Sequence, residues 1–410
     1  MPWSRHLKVL PTGMGGSLTM ERNLTLETRE RMRQALSEAP FDAFLAASPA
    51  NIRYISGYAS LPHVLYSHGH QYAAIITENA WCLVIPCNDV PAAVDSGVPV
   101  ECVVPYGNFY FEGPPDSYLL QISGRHADFS SALATALKQC KIQGGAIGID
   151  ESSIRNRVLA NVGEPLSRLE TRPASDWARG VRSVKTSGEI ALLAASAHLA
   201  EEAIEAALSQ AKSGWTERDI ARCVTSVMAS GDGVPLQPSI QVGARTALGD
   251  AYPTDKPWER GELLRLDVGC VKDGYWSDIA RMAVLGEPTR LQLERYQALL
   301  EGQQREIAMV RPGVPAGELF DIAVETVRSN GIPSYRRTHC GHGIGLEVYD
   351  TPLIEEGSER RIEQGMVLCL ETPFYEAEWG GLLVEDTVVV TASGCESFTT
   401  MSRDLRIVDG

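Results

Sequence analysis

Leu263-Leu264-Arg265-Leu266-Asp267-Val268-Gly269-Cys270-Val271-Lys272-Asp273-Gly274-Tyr275-Trp276-Ser277-Asp278-Ile279-Ala280-Arg281 is the stretch whose reading decides the fold. It reads as two strands of a hairpin, apolar into Asp267 and again after Asp278, with Lys-Asp-Gly as the turn. A carboxylate sits on each strand. Burying one Asp in an apolar strand is costly unless a cation or a set of hydrogen bonds satisfies it, and here two arrive together. The pair reads either as part of a metal site awaiting further ligands or as two strand-end residues facing water.

The rest of the chain sets bounds on that choice. With 410 residues, 44% hydrophobic and 22% charged, it has the composition of a soluble globular protein large enough for two domains. The formal net charge of -15 argues against nucleic acid and against anionic membrane surfaces. Nine scattered cysteines, without a Cys-x-x-Cys pair, read as reduced thiols in a cytoplasmic protein. There is no run apolar enough for a signal peptide or a membrane span.

Residues 1–22 have no period and read as a lead-in, followed by a charged helix from Leu24 to Leu36. Short apolar runs then alternate with helical ones up to Asp150, which predicts an α/β domain with a mixed sheet over residues 23–180. Ser67-His68-Gly69-His70 offers two imidazoles at i, i+2, which on a strand share one face and could meet a metal or a substrate anion; as loop residues they would do neither. Residues 181–410 read as an α+β domain. Helices are expected at 188–212, 216–230, 289–309 and 316–330, and strands at 239–243, in the hairpin, and around 366–371 and 382–390. A helix pair followed by strands, twice over, hints at internal symmetry.

Three later stretches supply companions for the two Asp residues. Thr338-His339-Cys340-Gly341-His342-Gly343-Ile344-Gly345 places histidine in a Gly-rich segment. Gly365-Met366-Val367-Leu368-Cys369-Leu370-Glu371 ends an apolar strand in Glu, and Leu382-Leu383-Val384-Glu385-Asp386-Thr387 embeds another. Each has a bland reading alone. Together, four carboxylates and one imidazole make an oxygen-rich donor set suited to two divalent ions.

The order Asp, Asp, His in Gly-His-Gly-Ile-Gly, Glu after Gly-Met-Val, and Glu in Val-Glu-Asp-Thr resembles the pita-bread metallopeptidase family M24, which includes methionine aminopeptidase, aminopeptidase P, prolidase and the metal-free creatinase. Asn51-Ile52-Arg53-Tyr54-Ile55-Ser56-Gly57-Tyr58 is similar to the creatinase/prolidase N-terminal domain. The resemblance spans about residues 25–405. It implies a C-terminal pita-bread fold preceded by a creatinase-like α/β domain, and a hydrolase that cleaves a C–N bond with two Mn, Co, Fe or Zn ions. By the same resemblance Asp267 chelates one ion, Asp278 and Glu385 bridge both, His342 binds one, and Glu371 binds while shuttling a proton. A homodimer is implied as well.

Two positions depart from the family pattern. Where its peptidases carry a histidine seven residues after the metal-binding one, this chain has Tyr349, and where another histidine precedes the first Asp, it has Asp250. A phenol can donate to an oxyanion but cannot serve as an imidazolium near neutral pH, and Asp250 would favour a substrate ammonium. His339 either replaces the lost imidazole or orients the loop. The main expectation is an Xaa-Pro dipeptidase or aminopeptidase acting on a dipeptide. The alternative, which Tyr349 and Asp250 favour, is a creatinase-like enzyme for a small amide, amidine or ring metabolite. A non-catalytic binding module would have no need to bury four carboxylates.

Overall fold

The computed structural model describes residues 15–65, 71–115, 117–122, 124–153 and 168–409. The chain divides into two compact units, Met1–Val181 and Arg182–Gly410.

The first unit is built on six strands: β1 (Ala43–Ala46), β2 (Ala73–Thr77), β3 (Trp81–Pro86), β4 (Val103–Tyr106), β5 (Ala146–Ile149) and β6 (Glu170–Pro173). They lie in the order β4-β3-β2-β1-β5-β6 and pair both parallel and antiparallel, giving the mixed sheet expected. β1 to β3 are buried almost throughout, so their sequences are continuously apolar rather than alternating. Leu133 and Leu137 of the helix Phe129–Gln139 pack on Leu45, Ile75, Val84 and Ile147. The first helix runs from Gly15 to Leu36, so it begins inside the stretch read as an unstructured lead-in.

The second unit carries strands β7 (Gly233–Val242), β8 (Leu263–Lys272), β9 (Tyr275–Trp276), β10 (Ile279–Leu285), β11 (His339–Gly343), β12 (Asp350–Glu355), β13 (Val367–Glu371), β14 (Phe374–Glu376), β15 (Gly380–Leu382), β16 (Glu385–Val390), β17 (Cys395–Ser397) and β18 (Arg406–Val408). Its main sheet runs β12-β11-β13-β16-β10-β8-β7. The helices Ser187–Gln210 and Glu217–Ser230 precede β7, β8 and β10; the helices Arg290–Met309 and Ala316–Ser329 precede β11, β13 and β16. The two halves meet at β10 and β16 in mirrored strand order, which gives the hinted symmetry a physical form. Three of these four helices start where a Thr caps the first turn and an acid or amide three residues on caps it back: Thr186 with Glu189, Thr216 with Asp219, Thr289 with Gln292.

The opening hairpin forms as read. Asp273 (φ 48°) and Gly274 (φ 83°) both take positive φ, the two-residue turn that matches strand twist, and Lys272 faces Tyr275 across it. The strand expected from Ser239 starts six residues earlier, at Gly233. Pro235 and Pro238 hide it in the sequence. They are tolerated because β7 is an edge strand and its register shifts between Pro235 and Gln237.

Candidate metal centre

Strand register decides which side chains meet. Opposed residues in an antiparallel pair share a face, and so do residues two apart on one strand. Asp267 opposes Ala280, which places Asp278 on the same face as Asp267. Ala280 opposes Glu385, Glu385 opposes Glu371, and His342 opposes Cys369, two residues before Glu371. All five residues therefore project from one face of β8, β10, β16, β13 and β11, in a row across the middle of the sheet. All five are buried. Carboxylate oxygens of Asp267, Asp278 and Glu385 lie within 4.8 Å of one another, and donor atoms of His342, Cys369 and Glu385 form a second such group.

The opposite face fixes this register. Asp386 and Arg281 point away from the row and pair at 2.7 Å, both almost fully buried. Arg281 Nη1 also donates to the Glu385 carbonyl at 2.6 Å, and Thr399 Oγ1 donates to Asp386 at 2.6 Å. Gln303 Nε2 reaches both Asp386 Oδ2 and the Leu370 carbonyl at 3.1 Å. A slip of one residue would bury two unpaired charges, so the ion pair makes the alignment of Asp278, Glu385 and Glu371 costly to lose.

The electrostatics of the row are those of crowded acids. Burial pushes the Asp267 carboxyl up to about 6, against the pull of Arg265 and with Glu371 adding to the rise. Asp278 rises well above the usual carboxylate range through burial, then through Asp267 and Glu371; Glu385 rises through burial, Asp278 and Glu371. Glu371 is different. Burial raises it too, but His339, His342 and Arg337 outweigh that and hold it below the usual range. Burial lowers the His342 imidazole, and its Nδ1 lies 3.0 Å from the Gly343 carbonyl. Nδ1 therefore carries the hydrogen, and the Nε2 lone pair faces Asp278 Oδ2 at 3.8 Å.

Three mutually repelling buried carboxylates and a neutral imidazole with its lone pair turned inward are the donor set that hard or borderline divalent ions take. Asp267, Asp278, Glu385, His342 and Glu371 are thus the residues that would hold such ions.

Around the row stand the candidate substrate groups. Tyr349 is half exposed and stacks on His342 (3.9 Å, 24°), and His339 meets Tyr349 edge-on at 5.7 Å. Burial pushes the Tyr349 phenol well up, so it remains a neutral hydrogen-bond donor. His339 Nδ1 lies 3.2 Å from Glu371 Oε1, close enough for ion pairing though off the line of a good hydrogen bond. Asp250 is exposed, and its charge contributes to the rise of Asp267 and Asp278. His68 and His70 lie outside the described residues.

Sequence reading missed two residues in this neighbourhood. Gln237 Nε2 donates to Asp267 Oδ1 and Asp278 Oδ1, both at 2.9 Å, and so couples the two acids. Arg265, fully buried, shares the face of Asp267 two residues away and donates to Gln241 Oε1, Tyr375 Oη and Ser239 Oγ at 3.0, 3.1 and 3.0 Å. The i, i+2 spacing of Arg265 and Asp267 on β8 is the signal that could have found it. Gln237 was hidden by the prolines around it.

Comparison with known proteins agrees with this geometry. The model of metallopeptidase family M24 matches residues 191–392, and that of the Creatinase/Prolidase N-terminal domain matches residues 29–184. An Xaa-Pro dipeptidase of Pyrococcus furiosus is 29% identical over 381 residues, covering 92% of this chain and 99% of the relative. One of Lactobacillus helveticus is 27% identical over 383 residues, covering 92% and 98%. Among solved structures, an X-Pro aminopeptidase from Thermotoga maritima superposes with a TM-score of 0.76 at 25% identity, covering 93% of this chain and 99% of the other. The prolidase from Pyrococcus furiosus gives 0.72 at 28% identity, covering 90% and 100%. The chain belongs to metallopeptidase family M24 and is, with that family, a metal-dependent hydrolase.

Proposed function

We propose that this chain hydrolyses the C–N bond before proline in a dipeptide or short peptide, as an Xaa-Pro dipeptidase or aminopeptidase, using two divalent ions held by Asp267, Asp278, His342, Glu371 and Glu385. The observation that carries the reading is the convergence of these five side chains on one face of five adjacent strands. Two divalent ions bound there would lower the pKa of a water shared between them and polarise the carbonyl it attacks.

The chain's own groups complete the reaction. Glu371, held ionised by His339, His342 and Arg337 despite its burial, accepts a proton at Oε1 and passes it to the leaving nitrogen. Tyr349 Oη donates to the oxygen that gains charge during attack, in the place where an imidazole would otherwise stand. His339 orients Glu371. Asp250 attracts the substrate ammonium. The relatives' Xaa-Pro dipeptidase activity supports a dipeptide substrate. Manganese is the ion we assign, as a hard cation for an oxygen-rich set. The free cysteines support a reducing, cytoplasmic setting. Exposed Leu61, Val64 and Leu65 of the N-terminal unit offer an apolar surface for a homodimer.

Tyr349 and Asp250 also support a second reading, a creatinase-like hydrolase of a small amide, amidine or ring metabolite. Turnover of Ala-Pro and Gly-Pro with Mn or Co separates the two, since the second reading expects none. Asp278→Ala and Glu371→Ala should each lower turnover by at least about 10³-fold with the circular dichroism of the chain unchanged. Near wild-type rates in either variant would refute the assignment.

A further inference from the structure

The ligand row holds one donor that the reaction above leaves unused. Cys369 precedes Glu371 by two residues on β13, opposes His342 on β11 and opposes Thr387 on β16. Each of these relations places its side chain on the face of the row. Its neighbours Leu368 and Leu370 turn the other way, into the apolar core. Other buried thiols on these strands belong to apolar packing as well: Cys340 of β11 lies in that same core, and Cys270 of β8 lies in a second apolar cluster.

The sulfur of Cys369 is fully buried, and its lone pairs are unclaimed. Sγ lies 3.5 Å from Thr387 Oγ1 and 3.9 Å from the Asp278 carbonyl. Thr387 has a single O–H, and it donates to that same carbonyl at 2.8 Å, which leaves no hydrogen to point at the sulfur. Cys369 can therefore donate its own hydrogen to these two oxygens, but it accepts from neither of them. A buried sulfur with free lone pairs, set between an imidazole and a carboxylate, has the surroundings of a metal ligand.

The donors sort into two unlike sets. Oxygens of Asp267, Asp278 and Glu385 lie within 4.8 Å of one another, and so do donor atoms of His342, Cys369 and Glu385. Glu385 belongs to both. The first set is all oxygen and suits a hard ion such as manganese; the second offers nitrogen, sulfur and oxygen, which suit zinc or the borderline cobalt and iron(II). Bonds of about 2.0–2.3 Å hold the donors of one ion at most about 4.5 Å apart, so either set closes on an ion with a small shift of its side chains. We propose that Cys369 is a metal ligand, and that the centre is built for two different ions, a hard one on the oxygen set and a thiophilic one on His342, Cys369 and Glu385. Cys369 releases its thiol hydrogen to solvent as Sγ bonds the ion. The inference rests on the two-ion reading of the row and is independent of the substrate.

The test titrates the full chain, freed of metal by chelator and kept in a phosphine reductant, with cobalt(II). Wild type should take up two ions and develop a sulfur-to-cobalt charge-transfer band in the near ultraviolet. Cys369→Ser and Cys369→Ala should keep the circular dichroism and lose the band, while Cys223→Ser, on the helix Glu217–Ser230, should keep both. With zinc and manganese supplied together, metal analysis should find one of each in wild type, and the ratio of zinc to manganese affinity should fall at least about 10-fold in Cys369→Ser. Two cobalt ions without the band, or a band that survives in Cys369→Ala or is lost in Cys223→Ser, overturns the proposal and leaves the two-ion reading standing. Zinc in both positions, or a ratio that Cys369→Ser leaves unchanged, overturns the claim of two different ions. One cobalt with the band keeps the sulfur ligand and overturns the two-ion reading; no uptake, or one cobalt without the band, overturns both. The wild-type spectrum decides between these outcomes even where a variant fails to fold.

Discussion

Replacing Asp267 by Asn should stabilise the metal-free protein while destroying its capacity to be stabilised by metal. Asp267 is buried, and in the folded chain its carboxyl rises from the ordinary 3.8 to about 6. A carboxyl with a raised folded value binds its proton more tightly in the native state than in the unfolded chain. Native stability therefore falls as pH climbs through the window from about 4 to about 6, and the loss is complete above it. A rise of about two pH units corresponds to roughly 3 kcal/mol. The amide keeps an acceptor for Gln237 Nε2, now 2.9 Å from Oδ1, and carries no charge to repel Asp278. In chelator, Asp267→Asn should match wild type near pH 4 and exceed it by up to about 3 kcal/mol at pH 8. Saturating manganese should invert the order, because wild type gains roughly 2.7 kcal/mol at a hundredfold excess over Kd and the variant has lost a ligand. Urea melts at both pH values, with chelator and with manganese, measure all four numbers. A variant less stable than wild type in chelator at pH 8, or one that manganese stabilises equally, would refute the argument that this row of acids is built around cations.

Other sites yield sharper tests of parts of the fold. Asp150 closes the first unit: its Oδ2 accepts from Ala47 N, Ser48 N and Asn51 Nδ2 at 3.1, 2.8 and 2.8 Å, and its Oδ1 from Ser175 Oγ at 2.9 Å. Burial raises this carboxyl, but the hydrogen bonds outweigh it and hold it below 3.8, so its contribution is present above that value and lost as pH falls below it. Asp150→Ala should cost about 2–4 kcal/mol at neutral pH in a chemical melt. Glu217 is fully buried and accepts from Val242 N, Arg245 Nε and Thr254 N at 2.9, 2.9 and 2.7 Å, tying the end of β7 to the segment after Asp250. Glu217→Ala should cost about 3–5 kcal/mol and raise KM more than it lowers kcat, as steady-state kinetics on Ala-Pro would show. Tyr349→Phe removes the proposed oxyanion donor and should lower kcat about 10²-fold with KM little changed. An unchanged kcat would assign Tyr349 to packing on His342 alone.

The sequence disclosed the ligands better than their surroundings, and strand geometry explains the difference. Asp267, Asp278, Glu371 and Glu385 stand out because a charge inside an apolar strand is conspicuous, and the Gly-rich setting of His342 marks it equally well. What a linear reading lacks is register. Every strand of the row is buried on both faces, so none shows the alternation that would tell which neighbours of each acid share its side. Asp386 directly follows Glu385, yet it faces away and serves the fold through Arg281, while Glu385 serves the site. Gln237, and the partners that make Arg265 a support, were invisible for the same reason, since those contacts exist only once β7, β8 and β10 are aligned. The prolines of β7 concealed even the strand that carries Gln237. The division of labour follows from this: identity along the chain names the metal-binding groups, whereas pairing between strands selects which uncharged and cationic groups stand beside them.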